Sequence, residues 1–310
     1  MMKLVFFGTP QFAIPSLYSL DQSKYKVCAV ITAPDKRAGR GMEYASSPVK
    51  KVAENLNYPI YQPSNLEDPN FVSILKKINA DIFIVVAYRI LPQGILSIPI
   101  KGIINIHASL LPKYRGASPI QHAILNGEKI TGVTTFYIEN EIDAGKILLQ
   151  ESYHLDNNIT AGEAYTDLSH IGSKLIIETL DGIESANLES KEQDHKSVSF
   201  APKIPPKDYI INWNMPAKTI HNQIRALSPK PGAYTIFQNK RIKLFNTEIK
   251  DTQSSSKVCI GKIDYNNGCL EIGTIDNIIK VHEIQIEGKK RMPVNQFISG
   301  TPEIKGSHFG

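Results

Sequence analysis

The stretch that decides the fold runs from Gly102 to Pro119 and reads G-I-I-N-I-H-A-S-L-L-P-K-Y-R-G-A-S-P. Ile103, Ile104 and Ile106 are β-branched and apolar, and Gly102 punctuates their start, so the segment opens as a buried strand. Asn105 and His107 interrupt it. Side chains alternate along a strand, which puts these two on one face, roughly 6 to 7 Å apart. Ser109, Pro112, Gly116 and Pro119 then break the pattern, so the pair stands near the strand's C-terminal end. In open parallel sheets that end faces the ligand crevice. Two readings compete. Both residues are core polars satisfied by nearby backbone, or they form a pair able to polarise a carbonyl and move a proton. Each buried polar group left without a partner costs roughly 1 to 3 kcal/mol, so a merely structural strand is better served by hydrophobes.

Outward from this strand the chain alternates. Lys3–Phe7 and Lys26–Thr32 read as strands, with a helix from about Pro10 to Leu20 between them. Helices follow over Ser47–Asn57 and Asp68–Asn79, each with a proline suited to its first turn. Ala80–Tyr88 contains the continuous apolar run of a strand buried on both faces. Thr131–Ile138 and Lys146–Glu151 are further strands, and Gly162–Glu184 is a long helix whose buried stripe is Ala164, Leu168, Ile171, Leu175 and Leu180. This order predicts an α/β fold with a Rossmann-like, doubly wound and mostly parallel sheet. It does not predict NAD: the first turn, F-G-T-P-Q-F-A, has one glycine where the dinucleotide fingerprint has three, and Pro10 removes a backbone donor. Residues 1–188 make one expected domain. Residues 189–206, polar and then proline-rich, read as a partly extended linker. Within 207–310, a helix at about Ala217–Leu227 precedes short strands at Ala233–Gln238, Arg241–Phe245, Val258–Ile263, Leu270–Thr274 and Ile278–Ile286. That pattern fits a small OB-like β-barrel.

Charge divides along the same line. Residues 1–206 carry 20 basic and 21 acidic side chains, a balance of −1, whereas residues 207–310 carry 15 and 9, a balance of +6. Solvated surface lysines explain this, and so does a face for a polyanion. The 42% hydrophobic content is that of an ordinary globular chain. The apolar start meets Pro10 too soon for a signal peptide, and no run approaches the ~18 residues of a membrane span. Cys28, Cys259 and Cys269 are odd in number and lack metal-site spacing, which predicts a reducing, cytoplasmic setting without a zinc site.

The segment N-I-H-A-S-L-L-P-K-Y-R-G-A-S-P-I resembles the signature of the folate-dependent formyltransferases. The resemblance implies a catalytic trio of Asn105, His107 and Asp143, the last matching the acid of the family's D-A/T-G segment, although on local grounds Asp143 is a plain turn aspartate. It implies that 10-formyltetrahydrofolate, the co-substrate, lies beside Ser109, Leu110, Leu111 and Pro112, with its pteridine against Ala87, Tyr88 and Leu91. The acceptor implied is the α-amino group of methionine on initiator tRNA. The loop Ala33–Gly41 would enter the RNA through Arg40, with Lys36 and Arg37 beside it. By charge, Lys240, Arg241, Lys243, Lys289, Lys290 and Arg291 of the second domain are further phosphate contacts. Family precedent is a monomer, with no metal.

Two departures stand out. Met42 and Glu43 occupy positions where relatives often carry lysines. Ala87-Tyr88-Arg89 replaces a family A-Y-G, with one residue fewer before Pro92. Three other functions remain open at this point: formyl transfer to a small amine, hydrolysis of the same folate, and a non-catalytic RNA-binding module.

Overall fold

The computed structural model describes residues 1–38, 43–250 and 259–309. The chain divides into two compact units that interleave in sequence: Met1–Pro119 with Ile130–His154 and Tyr165–Ala201, and Ile120–Lys129 with Leu155–Ala164 and Pro202–Gly310.

In the first unit the strands are β1 (Lys3–Gly8), β2 (Lys26–Ile31), a small hairpin of β3 (Lys36–Ala38) and β4 (Glu43–Ala45), β5 (Ile60–Tyr61), β6 (Ile82–Val86), β7 (Ile103–His107), β8 (Ile130–Tyr137) and β9 (Ile147–His154). Seven of them form one sheet in the order β5-β2-β1-β6-β7-β8-β9. Pairing is parallel as far as β7 and antiparallel at β7–β8 and β8–β9. The strand direction of travel reverses at β1, which makes the crevice beyond β1 and β6 the switch point at which such sheets bind ligands. Helices α1 (Ile14–Asp21), α2 (Pro48–Asn55), α3 (Pro69–Ile78) and the short α4 (Gln93–Leu96) fill the crossovers.

Local chemistry sets the helix ends. Ser47 accepts from the Lys50 N–H at 3.0 Å ahead of Pro48, and Asp68 accepts from the Asn70 N–H at 2.9 Å ahead of Pro69. Caps of this kind are each worth about 1 kcal/mol. Asn79, left-handed at φ 50°, terminates α3. One core lies under the sheet between Phe7 and Phe83, whose rings are 5.4 Å apart, with Leu75, Val85 and Ile95 around them.

Several elements differ from expectation. The strand predicted to reach Tyr88 stops at Val86, because Ala87 turns to φ 49°. Helices α5 (Pro119–Leu125), α6 (Ala161–Glu184) and α7 (Ala217–Ala226) follow in the chain, and α5 carries no long amphipathic repeat to announce it. On α6 the expected stripe of Ala164, Leu168, Leu175 and Leu180 is buried, while Ile171 is half-buried and Ile176 joins the buried face.

The second unit is an OB-like antiparallel sheet of β10 (Tyr234–Phe237), β11 (Lys240–Ile249), β12 (Ile263–Asn266), β13 (Cys269–Gly273) and β14 (Ile278–Ile286), ordered β10-β11-β14-β13-β12, with β15 (Met292–Pro293) on β14 and α8 (Val294–Gly300) after it. Of the strand expected over Val258–Ile263, Val258 lies outside the described residues, and the strand observed there is β12, which starts at Ile263. Trp213 stacks on Phe309 at 5.6 Å in the core of this unit. Arg225, 4% exposed, spreads its guanidinium over the carbonyls of Ile124, Asp156 and Ile159, and buried His221 reaches the Asn157 carbonyl at 3.0 Å. These bonds tie the two inserted segments, 120–129 and 155–164, to α7.

Candidate active site

Strand β7 presents its two polar residues differently. Asn105, opposite Val85 on β6 and Phe136 on β8, is half-buried and lines a cleft of about 370 Å³. Its carboxamide makes no hydrogen bond among the described residues, so its donors are available to whatever enters. His107 is 6% exposed at the end of the strand. One ring nitrogen, Nε2, lies 2.9 Å from the Tyr114 carbonyl, and the other, Nδ1, lies 3.7 Å from Asp143 Oδ2. Both nitrogens thus face oxygens: an imidazolium can donate to each, a neutral ring to one. At 3.7 Å the carboxylate is within charge-pairing range but too far for a formed hydrogen bond.

Asp143 arrives by an indirect route. Because β8 runs antiparallel to β7, its end at Tyr137 lies beside Ile104, the wrong end of β7 for reaching His107. Residues 138–146 therefore turn back along the sheet. Asp143 sits in that loop at φ 53°, and its Oδ2 accepts the Gly116 N–H at 2.8 Å. Two glycines make the return possible. A Cβ on Gly145 would lie 1.8 Å from the Tyr137 carbonyl oxygen, and Gly116, at φ 121°, would bring one within 2.8 Å of the Ala201 carbonyl. Only a residue without a side chain fits either place.

The cleft is lined by apolar Tyr88, Ile90, Leu91, Leu96, Ile138 and Ile142 and by polar Asn105, Asp143, Arg89, Gln93, Glu139, Asn140 and Glu141. This suits a flat heterocycle whose faces pack on apolar side chains and whose edge carries hydrogen-bonding groups, and the volume is in the range of small-ligand pockets. Arg89, the departure from the family pattern, braces this wall: its guanidinium donates to the Pro63 carbonyl at 2.7 Å, the Ser64 carbonyl at 3.0 Å and the Tyr88 hydroxyl at 3.1 Å. Burial pushes the Tyr88 phenol above its ordinary value, with the Arg89 bond pulling the other way.

The other expected residues are placed as follows. Tyr88 and Leu91 line the cleft; Ala87 is exposed beside it. Ser109, Leu110, Leu111 and Pro112 do not line it. Ser109 is fully buried and donates to the Lys113 carbonyl at 2.6 Å, and the Ser109 carbonyl and Leu111 N–H both bond to Thr134 Oγ1. This segment shapes the turn that brings the Tyr114 carbonyl to His107. Arg40, with Met42, lies outside the described residues, as does the side chain of Arg37; Lys36 is exposed on β3. Lys240, Lys289 and Lys290 are exposed. Arg241 also is exposed, lying 5.2 Å from the Tyr234 ring centre, whereas Lys243 donates to the Pro231 carbonyl at 2.6 Å and Arg291 pairs with Glu283 over the Phe245 ring. Two residues near the site carry no local signal: Arg115 and Gln193, both buried and bonded to each other. Gln193 sits in a polar stretch that composition alone reads as linker.

The family model described as "Formyl transferase" matches residues 2–180, and "Formyl transferase, C-terminal domain" matches residues 203–302. The methionyl-tRNA formyltransferase of Clostridioides difficile (strain 630) is 42% identical over 310 residues, covering all of both chains. Among solved structures, the methionyl-tRNA formyltransferase from Clostridium thermocellum aligns at TM-score 0.56 and 18% identity, over 82% of this chain and 96% of that one. A variant of HypX from Aquifex aeolicus aligns at TM-score 0.66 and 17% identity over 97% of this chain, which spans about half, 48%, of HypX. The chain belongs to the formyl transferase family, and within it to the methionyl-tRNA formyltransferases.

Proposed function

We propose that this protein transfers the formyl group of 10-formyltetrahydrofolate to the α-amino group of methionyl-initiator tRNA, with Asn105, His107 and Asp143 as its catalytic residues. One observation carries the assignment of the site: an unengaged Asn105 carboxamide and the Asp143 carboxylate line one cleft fit for a pterin, and buried His107 stands behind them with Nδ1 3.7 Å from Asp143. The folate brings an activated formyl group carried on nitrogen. Asn105 donates N–H to the formyl oxygen as negative charge builds there, a contribution typically worth ~10² to 10³ in rate. His107 holds and moves the proton between the incoming amine and the departing nitrogen. Asp143, fixed by the Gly116 N–H, orients the imidazole and balances its charge.

Tyr88 and Leu91 hold the pteridine, and Ala87 and the Ser109–Pro112 turn shape the approach to it. Residues 1–188, apart from the segments 120–129 and 155–164 that pack with the second unit, form the catalytic part. Residues 189–206 form the connection, of which residues up to Ala201 pack with the first unit. Residues 207–310 form the tRNA-binding part, the exposed Lys240, Arg241, Lys289 and Lys290 being its phosphate contacts, with Lys243 and Arg291 drawn in from their internal partners. Arg40, with Lys36 and Arg37, engages the acceptor stem. The working form is a monomer in the cytoplasm. The test is to supply 10-formyltetrahydrofolate with methionyl-initiator tRNA, with glycinamide ribonucleotide, or with no acceptor, and to follow the formyl group. Transfer to the small amine, or free formate at the same rate without acceptor, overturns the reading.

A further inference from the structure

The stretch between the two halves contains a side chain that its composition gives no reason to expect. Gln193 is 4% exposed, and all four of its hydrogen-bond contacts converge on the loops around Asp143. Its Oε1 accepts from Arg115 Nε at 3.1 Å and from Arg115 Nη2 at 2.7 Å. Its Nε2 donates to the carbonyls of Asp143 at 2.8 Å and Gly145 at 2.7 Å.

Each bond bears on the site. The Asp143 and Gly145 carbonyls bracket the returning loop, where Asp143 holds a left-handed backbone that no regular element enforces. Arg115 lies between Tyr114, whose carbonyl meets His107 Nε2, and Gly116, whose N–H meets Asp143 Oδ2. The Arg115 backbone is itself clamped, its N–H to the Ser199 carbonyl at 2.9 Å and its carbonyl to the Ala201 N–H at 2.7 Å. One carboxamide therefore ties together the two loops that set the distance between His107 and Asp143.

We propose that Gln193 is a positioning residue for formyl transfer, acting through Asp143 by locking the 143–145 turn to the Tyr114–Gly116 loop; this rests on the catalytic reading of Asp143 given above. Only an uncharged amide suits the place. It must accept from a buried guanidinium and donate to two carbonyls at once, and a glutamate can do the first but not the second. A carboxylate would also set a second negative charge beside the Asp143 turn and face two carbonyl oxygens.

The test is a double-mutant cycle on the full-length enzyme, measuring kcat and KM for both substrates. Gln193→Ala and Gln193→Glu should each lower kcat by about 10- to 100-fold, the scale of a misplacement near 1 Å, with each KM within about threefold. In an Asp143→Asn background the same changes should cost less than about threefold more, because the residue they act through is already disabled. If Gln193→Ala does not fold, the near-isosteric Gln193→Glu carries the cycle. Gln193→Glu at full kcat would mean the residue merely partners Arg115, and losses that multiply with Asp143→Asn would mean it acts elsewhere; either overturns the proposal. An Asp143→Asn enzyme with near-normal kcat would instead overturn the catalytic assignment itself, and the proposal with it.

Discussion

Replacing Asn105 by alanine separates chemistry from structure more cleanly than any other change in this site. The carboxamide has no protein partner among the described residues and lines the cleft, so its removal strands no buried donor or acceptor. The fold should lose no more than about 0.5 kcal/mol, which in a chain of this size moves the melting temperature by about 2 °C or less. Catalysis should respond quite differently. Loss of one preorganised donor to a developing oxyanion costs about 3 to 4 kcal/mol, or 10² to 10³ in kcat.

Asn105→Asp sharpens the contrast. It keeps the shape and exchanges the donor for a negative acceptor aimed at the same oxygen, so its kcat should fall below that of the alanine variant. The assay is initial-rate formylation of methionyl-initiator tRNA with saturating folate, alongside thermal melting. An alanine variant turning over within about threefold of the parent, or a loss of rate matched by a large loss of melting temperature, would refute the reasoning.

Asp143→Asn should lower kcat by about 10²-fold while retaining the Gly116 bond through its amide oxygen, read by the same assay with folate binding followed by fluorescence. Gly145→Ala should destabilise the fold by more than about 2 kcal/mol in urea denaturation, because its Cβ would meet the Tyr137 carbonyl at 1.8 Å. Arg40→Ala should raise KM for charged tRNA and leave folate affinity unchanged; equal loss of both would place Arg40 outside the RNA contact. Burial holds the His221 imidazole below its ordinary 6.5. Above that pH both folded and unfolded chains carry it neutral and stability is whole; as pH falls toward the lower folded value, the unfolded chain protonates first and stability declines. Melting temperature should therefore drop as pH falls through the ordinary imidazole value, and His221→Gln should flatten that drop.

Strand and helix periodicity carried most of the architecture. The continuous apolar runs of β1, β6 and β7 and the proline-led helices α2 and α3 sit close to where their residues place them, since burial on both faces and capping are local properties. Asn105 and His107 were legible for the same reason: two polar residues on one face of an apolar strand are conspicuous. Asp143 was found through resemblance, and its geometry could not be read from spacing. Its path depends on β8 running antiparallel, a choice settled by long-range pairing rather than by anything between Thr131 and Tyr137. Gln193 was invisible because four hydrogen bonds made at sequence distances of 48 to 78 residues leave no trace in a polar stretch.

The interleaving of the two units bears on how this protein can be dissected. A stop codon after Pro206 looks like a tidy way to isolate the catalytic half, yet it would remove Arg225 and His221 and strand the carbonyls of Ile124, Asp156, Asn157 and Ile159 that they cover. The reciprocal fragment, begun at Pro202, would keep a guanidinium with its acceptors gone. Modularity here is a property of the folded object and not of the gene, and swaps between relatives should exchange segments 120–129 and 155–164 together with the C-terminal third.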